Sequence, residues 1–305
     1  MSASTLPSTI LTFTAIVGVG ALLRAAGILS REDAHPINAV IIYAGLPAFV
    51  FTAVHGAQLR ADLWGVVVVA WLVFGAMCGL GWAAARLLRL PPRVAGGFIL
   101  ATALGNTGFI GYPITQALFG TSGLPEAIFY DVFGTVGGLV LVGLVIAQRF
   151  GDSGEVRANP IRELATFPAV IALAAALLLR PFAIPELVGD GLGLLANMVA
   201  PLIMLSVGLS LRMASIRRFA APLGVIAVLR LVLAPAIALG IGSLVLGSGQ
   251  PLQVTVLEAG MPSMMLAFVV GERFGLETDL IASAILVTTV ASAVVLPLVQ
   301  MAAFR

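Results

Sequence analysis

The chain of 305 residues is 60% hydrophobic and only 10% charged, with a formal net charge of +2. A soluble domain carries about 45–50% apolar and about 25% charged residues, so this composition excludes a fold that is surrounded by water on all sides. The basic residues form no run typical of nucleic-acid binding, and the single cysteine, Cys78, excludes an internal disulfide bond and a cysteine-based metal site.

Long uncharged apolar runs follow one another along the chain. A run of about 20 residues is long enough to cross a bilayer as a helix, because each residue adds about 1.5 Å. Ten segments reach this length, which predicts an all-α polytopic membrane protein of about ten transmembrane helices. The segments are 8–29, 36–55, 63–88, 94–119, 128–150, 164–182, 187–213, 219–246, 252–274 and 280–304.

A short polar linker at residues 151–163 divides these spans into two sets of five. The sequence therefore predicts a first five-helix repeat at 1–150 and a second at 164–305. Short motifs recur between the halves at nearly constant offsets, such as Leu46-Pro47 with Ala200-Pro201. Because five is an odd number, the second repeat would enter the membrane from the opposite side, as in the inverted repeats of secondary transporters.

The arginines are divided unequally between the two sides of the predicted helices. The first side has Arg24, Arg31, Arg86, Arg89, Arg93, Arg149, Arg157, Arg162, Arg212, Arg217, Arg218 and Arg273, and the second has Arg60, Arg180 and Arg305. Cytoplasmic loops carry an excess of basic residues. We therefore expect the linker around Glu155 in the cytoplasm, and both termini on the periplasmic or extracellular face of the inner cell membrane.

The fourth and ninth predicted spans are interrupted at corresponding places. Three glycines and a proline fall between Gly105 and Pro113, and the ninth span contains Gly260-Met261-Pro262. Such residues destabilise a helix interior, and paired interruptions in two repeats are typical of a transporter binding site. Half-helices that begin after Pro113 and Pro262 would direct free N–H groups towards an anion. The alternative is a pair of proline kinks that only shape packing.

The candidate substrate-binding residues are the polar and helix-breaking residues of these two spans. They are Asn106, Thr107, Gly108, Pro113, Gln116, Gly260, Pro262 and Ser263. Asn106 could instead cap the unwound backbone, and Gln116 could instead hold two helices together. We expect Asn38 and Asn197 to bridge neighbouring helices.

Three charged residues of the predicted spans need partners. Arg230 lies about 15 Å below the inner end of the eighth span, near the middle of a hydrocarbon core about 30 Å thick. An unpaired arginine is costly there, and Glu258 of the ninth span lies at a similar depth, so we expect an Arg230–Glu258 pair. The pair could lock two helices, or Arg230 could exchange Glu258 for a substrate carboxylate while Glu258 takes a proton. Asp131 is expected near the outer end of the fifth span, with a neighbouring polar group as its partner.

Several of these motifs together resemble the auxin efflux carrier family. They are Asn38 with Leu46-Pro47, Gly105-Asn106-Thr107 with Gly111-Tyr112-Pro113, Ala200-Pro201 with Gly208-Leu209-Ser210-Leu211, Met261-Pro262 with Gly271-Glu272-Arg273-Phe274, and Leu296-Pro297. The short linker is similar to that of bacterial members rather than that of the plant auxin carriers. Ser263 stands where the plant carriers have glutamine, which argues against auxin itself as the substrate.

The resemblance implies ten spans, of which the fourth and ninth cross at their prolines. It implies a scaffold of spans one, two, six and seven beside a mobile domain of the other six, elevator-type motion and a homodimer. Family members move organic anions such as auxin, malate or malonate. No cofactor or metal is implied, and coupling to H⁺ or Na⁺ is left open.

The sequence therefore predicts a secondary transporter of a small organic anion, in a lipid bilayer, and not an enzyme. Two alternatives remain. An intramembrane aspartyl protease would use Tyr130-Asp131 and Gly189-Asp190, but its two aspartates must share one proton at close range. A channel would show charge rings or a selectivity filter.

Overall fold

The computed structural model of the chain describes residues 5–30, 32–57, 62–152, 159, 162, 165–210 and 216–303. These residues are helical, apart from turns, short connections and one isolated antiparallel bridge between Gly105 and Ser263. Some features used above lie outside the described residues. They are most of the linker with Glu155, the arginines Arg31, Arg60, Arg157, Arg212 and Arg305, and Leu211 of the seventh-span motif.

Six helices of the described residues are long and apolar enough to cross a membrane, judged by length and composition. They are Ala34–His55, Leu63–Leu87, Thr107–Phe150, Glu186–Ser206, Ala220–Val245 and Thr278–Val299. Shorter apolar helices cover Ala15–Ala25 and Pro168–Leu178. The chain is thus an all-helical polytopic membrane protein, as the sequence predicts.

The α-helices are numbered in chain order. They are α1 (Thr5–Ala25), α2 (Ala34–Val40), α3 (Leu46–His55), α4 (Leu63–Leu87), α5 (Pro92–Ala103), α6 (Tyr112–Phe119), α7 (Leu124–Phe129), α8 (Leu144–Phe150), α9 (Pro168–Leu178), α10 (Glu186–Asn197), α11 (Val199–Ser210), α12 (Ala220–Val228), α13 (Ala234–Val245), α14 (Gln250–Ala259), α15 (Leu266–Phe274) and α16 (Thr278–Ala303). Wider π-helical turns occupy Ile41–Gly45, Thr107–Gly111, Tyr130–Val136, Leu139–Gly143 and Leu229–Leu233.

A glycine separates the fourth and fifth predicted spans within the long helical stretch Thr107–Phe150. Gly120 has a φ of 67°, a conformation that favours glycine. A single 3₁₀ turn, Gly120–Gly123, leads into α7, which packs back against α6. The fifth span therefore begins at Leu124, earlier than the predicted residue 128. The short turn connects the two helices directly, without a polar loop between them.

Helices α1, α2–α3, α9 and α10–α11 pack on one another. The closest approach is between α1 and α11. A Cβ atom at Gly20 would lie 2.3 Å from the Leu205 carbonyl oxygen, and one at Gly208 would lie 2.2 Å from that of Val17. Small residues allow such backbone contact in membrane helices. A second apolar core joins α4, α5, α13 and α14, so it includes the first halves of both interrupted helices, whereas Phe109 and Tyr112 after the first break pack against the other group.

Candidate functional site

Two extended segments, one from each interrupted helix, pair with each other in the interior. We call residues 104–106 and 260–264 the crossover. Here the Asn106 N–H donates to the Pro262 carbonyl (2.7 Å), and the Met264 N–H donates to the Leu104 carbonyl (2.9 Å). The pairing satisfies backbone groups that lipid could not. The predicted interruption of both helices is confirmed.

The crossover does not use Pro113, and this part of the prediction was wrong. Helical structure resumes at Thr107, so Pro113 lies at the second position of α6. The wide turn Thr107–Gly111 precedes it, and there the Asn106 carbonyl accepts the N–H groups of Ile110 and Gly111. Proline lacks an N–H group, and none is needed at the second position of an α-helix. The preceding turn is wide rather than α-helical, so the proline ring avoids the clash that a regular turn would cause. Pro262 does lie in the crossover, but the next helix starts only at Leu266.

Asn106 has an unused hydrogen-bond donor in the crossover. Its side chain is 3% exposed, and its Nδ2 atom is buried without a hydrogen-bond partner among the described residues. A buried donor left unpaired costs about 1–3 kcal/mol. The amide therefore does not cap the unwound backbone through Nδ2, which is available to a ligand.

Thr107 and Gly108 face the buried carboxylate of Asp131. Asp131 is buried, and its two carboxylate oxygens accept hydrogen bonds from Thr107 Oγ1 (2.5 Å) and Tyr112 Oη (2.7 Å). A Cβ atom at Gly108 would lie 2.9 Å from Asp131 Oδ2. Helix α7 starts at Leu124, four residues before the predicted start of the span, so Asp131 is the eighth residue of this helical stretch rather than the fourth.

Ser263 and Gly260 contribute differently from Asn106. The Ser263 hydroxyl donates to the Ala101 carbonyl (2.7 Å), and its N–H donates to Thr288 Oγ1 (3.0 Å). These bonds tie the crossover to α5 and α16. Gly260 packs against Leu296, 3.1 Å from where its Cβ atom would lie. Both residues therefore belong to the crossover, with Ser263 already committed to protein partners.

Arg230 does not form the predicted ion pair with Glu258. Its side chain is 2% exposed and reaches the crossover, where it donates hydrogen bonds to four backbone carbonyl groups. Nε donates to Met261 O (2.9 Å), Nη1 to Ala103 O (3.0 Å) and Thr102 O (3.4 Å), and Nη2 to Ala259 O. The predicted partner was wrong, although Arg230 does lie next to the break in the ninth span.

The position of Arg230 follows from the two helix ends that meet there. Helices α5 and α14 both terminate at the crossover, and each C-terminus carries unpaired carbonyl groups and a partial negative charge. A guanidinium group has five donors and a fixed positive charge, so it satisfies both ends at once. Gly105 makes room for it, since a Cβ atom there would lie 2.7 Å from Arg230 Nη2.

Glu258 lies on the other side of the same break. It is 0% exposed, and its Oε1 accepts a hydrogen bond from Thr115 Oγ1 (2.8 Å). Its Oε2 is buried with no hydrogen-bond partner among the described residues. Sequence reasoning missed Tyr112 and Thr115. A signal for Thr115 was present, because Thr107, Gly111 and Thr115 are four residues apart and share one helical face.

Two cavities lie near the interrupted helices, and no residue of the crossover lines either of them. One of about 720 Å³ is lined by His35, Phe109 and Met265, among others, and the second, of about 640 Å³, by Gly56 and Gln116, among others. They lie at opposite ends of helix Ala34–His55, because His35 is at its beginning and Gly56 follows its end. Gln116, one of the predicted site residues, is therefore an exposed cavity residue that lies ten residues, or about three helical turns, after Asn106.

The two aspartates of the protease alternative are not paired. Asp131 is buried beside the crossover, whereas Asp190 is exposed on α10. The described residues contain no group of three or more His, Cys, Asp or Glu side chains that could hold a metal ion.

Comparison with known proteins identifies the class. Residues 7–300 match the model of a family described as "Membrane transport protein". The chain belongs to this family. It is the auxin efflux carrier family that the sequence motifs resemble. The chain is therefore a membrane transporter rather than an enzyme, and the protease alternative is excluded.

Relatives with similar sequences are also named as transporters. An "Uncharacterized transporter" of Methanothermobacter thermautotrophicus is 34% identical over 297 residues, which cover 95% of this chain and 96% of the relative. An uncharacterized transporter of Methanocaldococcus jannaschii is 32% identical, covering 93% and 94%. A "Putative malonate transporter" of Rhizobium meliloti is 27% identical over 274 residues, covering 84% and 82%. These names indicate a small-molecule substrate for such transporters.

Proposed function

We propose that this protein is a secondary transporter that carries a small organic anion with a carboxylate group by alternating access. The observation that carries the proposal is the buried, unpaired Nδ2 group of Asn106 at the crossover. An amide N–H donates well to a carboxylate oxygen, and a dry site strengthens that bond. The fixed charge of Arg230 lies behind the same segment and favours an anion there.

The two cavities support alternating access. The first is lined by Phe109 and Met265, which follow the two crossover segments in the chain, and the second by Gln116 of α6, so a site between them could be reached from either side in turn. The packing of α1, α2–α3, α9 and α10–α11 into one group supports an elevator in which these helices form the scaffold. In this proposal ten spans form two inverted halves, and two copies associate into a homodimer.

The substrate class follows from the site and from one relative. A single amide donor beside a fixed positive charge suits a carboxylate. The relative named for malonate suggests a small dicarboxylate as the first compound to test.

Replacement of Asn106 tests the proposal directly. Asn106→Ala should abolish uptake of radiolabelled malonate into proteoliposomes, while the protein still inserts and keeps its thermal stability, because Nδ2 bonds to no described residue. Asn159→Ala is a matched control, since Asn159 is exposed in the linker and its Oδ1 accepts a local N–H from Arg162. Normal uptake kinetics in well-expressed Asn106→Ala would overturn the assignment.

Counterflow separates a transporter from the channel alternative. If the protein is a carrier, unlabelled malonate inside the proteoliposomes should accelerate the entry of labelled malonate. The rate of entry should also saturate as the malonate concentration rises. Unsaturable flux without counterflow would favour a channel.

A further inference from the structure

Glu258 has an incomplete set of hydrogen bonds for an ionised carboxylate. It is fully buried at membrane depth, and one donor, Thr115 Oγ1, contacts one of its oxygens. The other oxygen, Oε2, has no hydrogen-bond partner among the described residues and lies against Gly111, where a Cβ atom would be 2.1 Å away. An isolated buried carboxylate is so costly that such groups usually become neutral. This geometry favours a carboxyl group that carries a proton.

Asp131 provides a contrast within the same site. Both of its oxygens accept hydrogen bonds, from Thr107 and Tyr112. Hydrogen bonds to both oxygens stabilise the charged form of a carboxylate. Asp131 therefore has a donor for each of its oxygens, whereas Glu258 has a donor for only one among the described residues, so Glu258 is the carboxyl group whose surroundings favour binding a proton.

The groups around Glu258 come from several elements. Asp131 and Tyr130 lie on the π-helical segment Tyr130–Val136, and Tyr112 lies on α6. Arg230 is close to the same turn, through its bond to the Ala259 carbonyl, but its donors are directed at backbone groups. Arg230 therefore does not hold Glu258 in its charged form.

We propose that Glu258 is the site of the coupling proton, bound in the occluded crossover and released when the crossover opens to water. The inference rests on the proposed function. Neither cavity reaches Glu258 in this structure, so the proton is enclosed. On opening, the carboxyl O–H bond breaks, the proton passes to water and the carboxylate becomes hydrated. The substrate anion and the proton then cross in the same step, which reduces the net charge that must pass through the membrane.

Infrared spectroscopy of the purified protein tests the proton without any substrate. A protonated carboxyl group has a C=O stretching band that a carboxylate lacks. We expect this band in the wild type at neutral pH, its loss in Glu258→Gln, and a shift to higher frequency in Thr115→Val, which removes the hydrogen bond to the carbonyl. Thr115→Val assigns the band even where Glu258→Gln fails to fold. A wild-type spectrum without the band, or a band unchanged in the variants that fold, would overturn the inference.

Transport in proteoliposomes tests coupling. A pH-sensitive dye enclosed with the protein should report proton entry together with labelled malonate, and an inward proton gradient should raise malonate accumulation. Glu258→Gln should keep malonate counterflow but lower gradient-driven accumulation to the level seen at equal pH. Glu277→Gln is the control, because Glu277 pairs with Arg218 away from the crossover (3.8 Å).

The outcomes separate the two proposals. If the wild-type protein transports neither malonate nor other small carboxylates, the proposed function is contradicted. The infrared result still decides the proton site in that case. Uptake that is insensitive to the proton gradient, and equal in Glu258→Gln, would overturn the coupling role and leave the carrier function intact.

Discussion

Arg230 shows how a permanent charge can be held at membrane depth without an acidic partner. Its donors go to four carbonyl groups at the ends of two helices. Each helix end has the equivalent of about half a negative charge, so two ends together approach a full counter-charge. The arginine therefore links the C-terminal ends of α5 and α14 through hydrogen bonds to backbone groups.

Removal of the Arg230 guanidinium should destabilise the protein. Arg230→Gln would leave several buried carbonyl groups unpaired, each at about 1–3 kcal/mol, so we expect a clear loss of thermal stability in detergent and of transport. Combining it with Glu258→Gln should give no rescue, because the two side chains do not form an ion pair. A double variant more stable than Arg230→Gln alone would contradict this arrangement.

The sequence predicted that Arg230 and Glu258 lie near one break, but not which groups they contact. Counting residues along a helix placed both beside the interruption of the ninth span, which is correct. It could not show that the break itself supplies acceptors, because unpaired carbonyls at helix ends have no signature in the side-chain sequence. The start of the helical stretch that carries Asp131 was also misjudged, since the tight turn at Gly120 lets the next helix begin at Leu124.

At the scale of the helices, the crossover depends on Gly105, which has no side chain. Gly105→Ala would place a Cβ atom 2.7 Å from Arg230 Nη2, which must move the guanidinium or separate the paired segments. We expect reduced thermal stability and loss of malonate uptake.

Gly224→Ala is the matched control for that substitution. Gly224 lies on α12, six residues before Arg230, with nothing within 4 Å of its Cβ position. Alanine there should be neutral or stabilising by up to about 1 kcal/mol, through helix propensity. Equal effects of the two substitutions would show that Gly105 is not specially constrained.

Helix positions and interruptions were largely predictable from the sequence, whereas the residues at which the two interrupted helices cross were not. Apolar run length locates a helix, and clustered glycines and prolines locate a break. Pro113 was a plausible crossing point by motif alone, but a π-helical turn absorbs it into α6. Such a turn depends on hydrogen bonds to the Asn106 carbonyl, which residue types do not specify.

At the scale of the whole molecule, the distribution of arginines predicts an orientation in the membrane. Exposed single cysteines in a Cys78→Ser background would test it in right-side-out membrane vesicles. Ser122→Cys should react with a membrane-impermeant maleimide, whereas Ala26→Cys, which follows Arg24, should react only after permeabilisation. Both positions are exposed in the structure. The reverse labelling pattern would contradict the periplasmic assignment and place both termini on the cytoplasmic side.

The partners of Arg230 also set an order for biogenesis. When the helix that carries Arg230 leaves the ribosome, Thr102 and Ala103 have already been synthesised, but Ala259 and Met261 follow 29 and 31 residues later. An arginine at the centre of an inserting helix costs about 2.5–3.5 kcal/mol at the translocon. The helix Ala220–Val245 has a mean hydropathy of 2.3, so its apolar residues must offset that cost. Final assembly then waits for α14 and the segment that follows it, so a ribosome-bound chain that ends before Ala259 should be inserted but not yet packed.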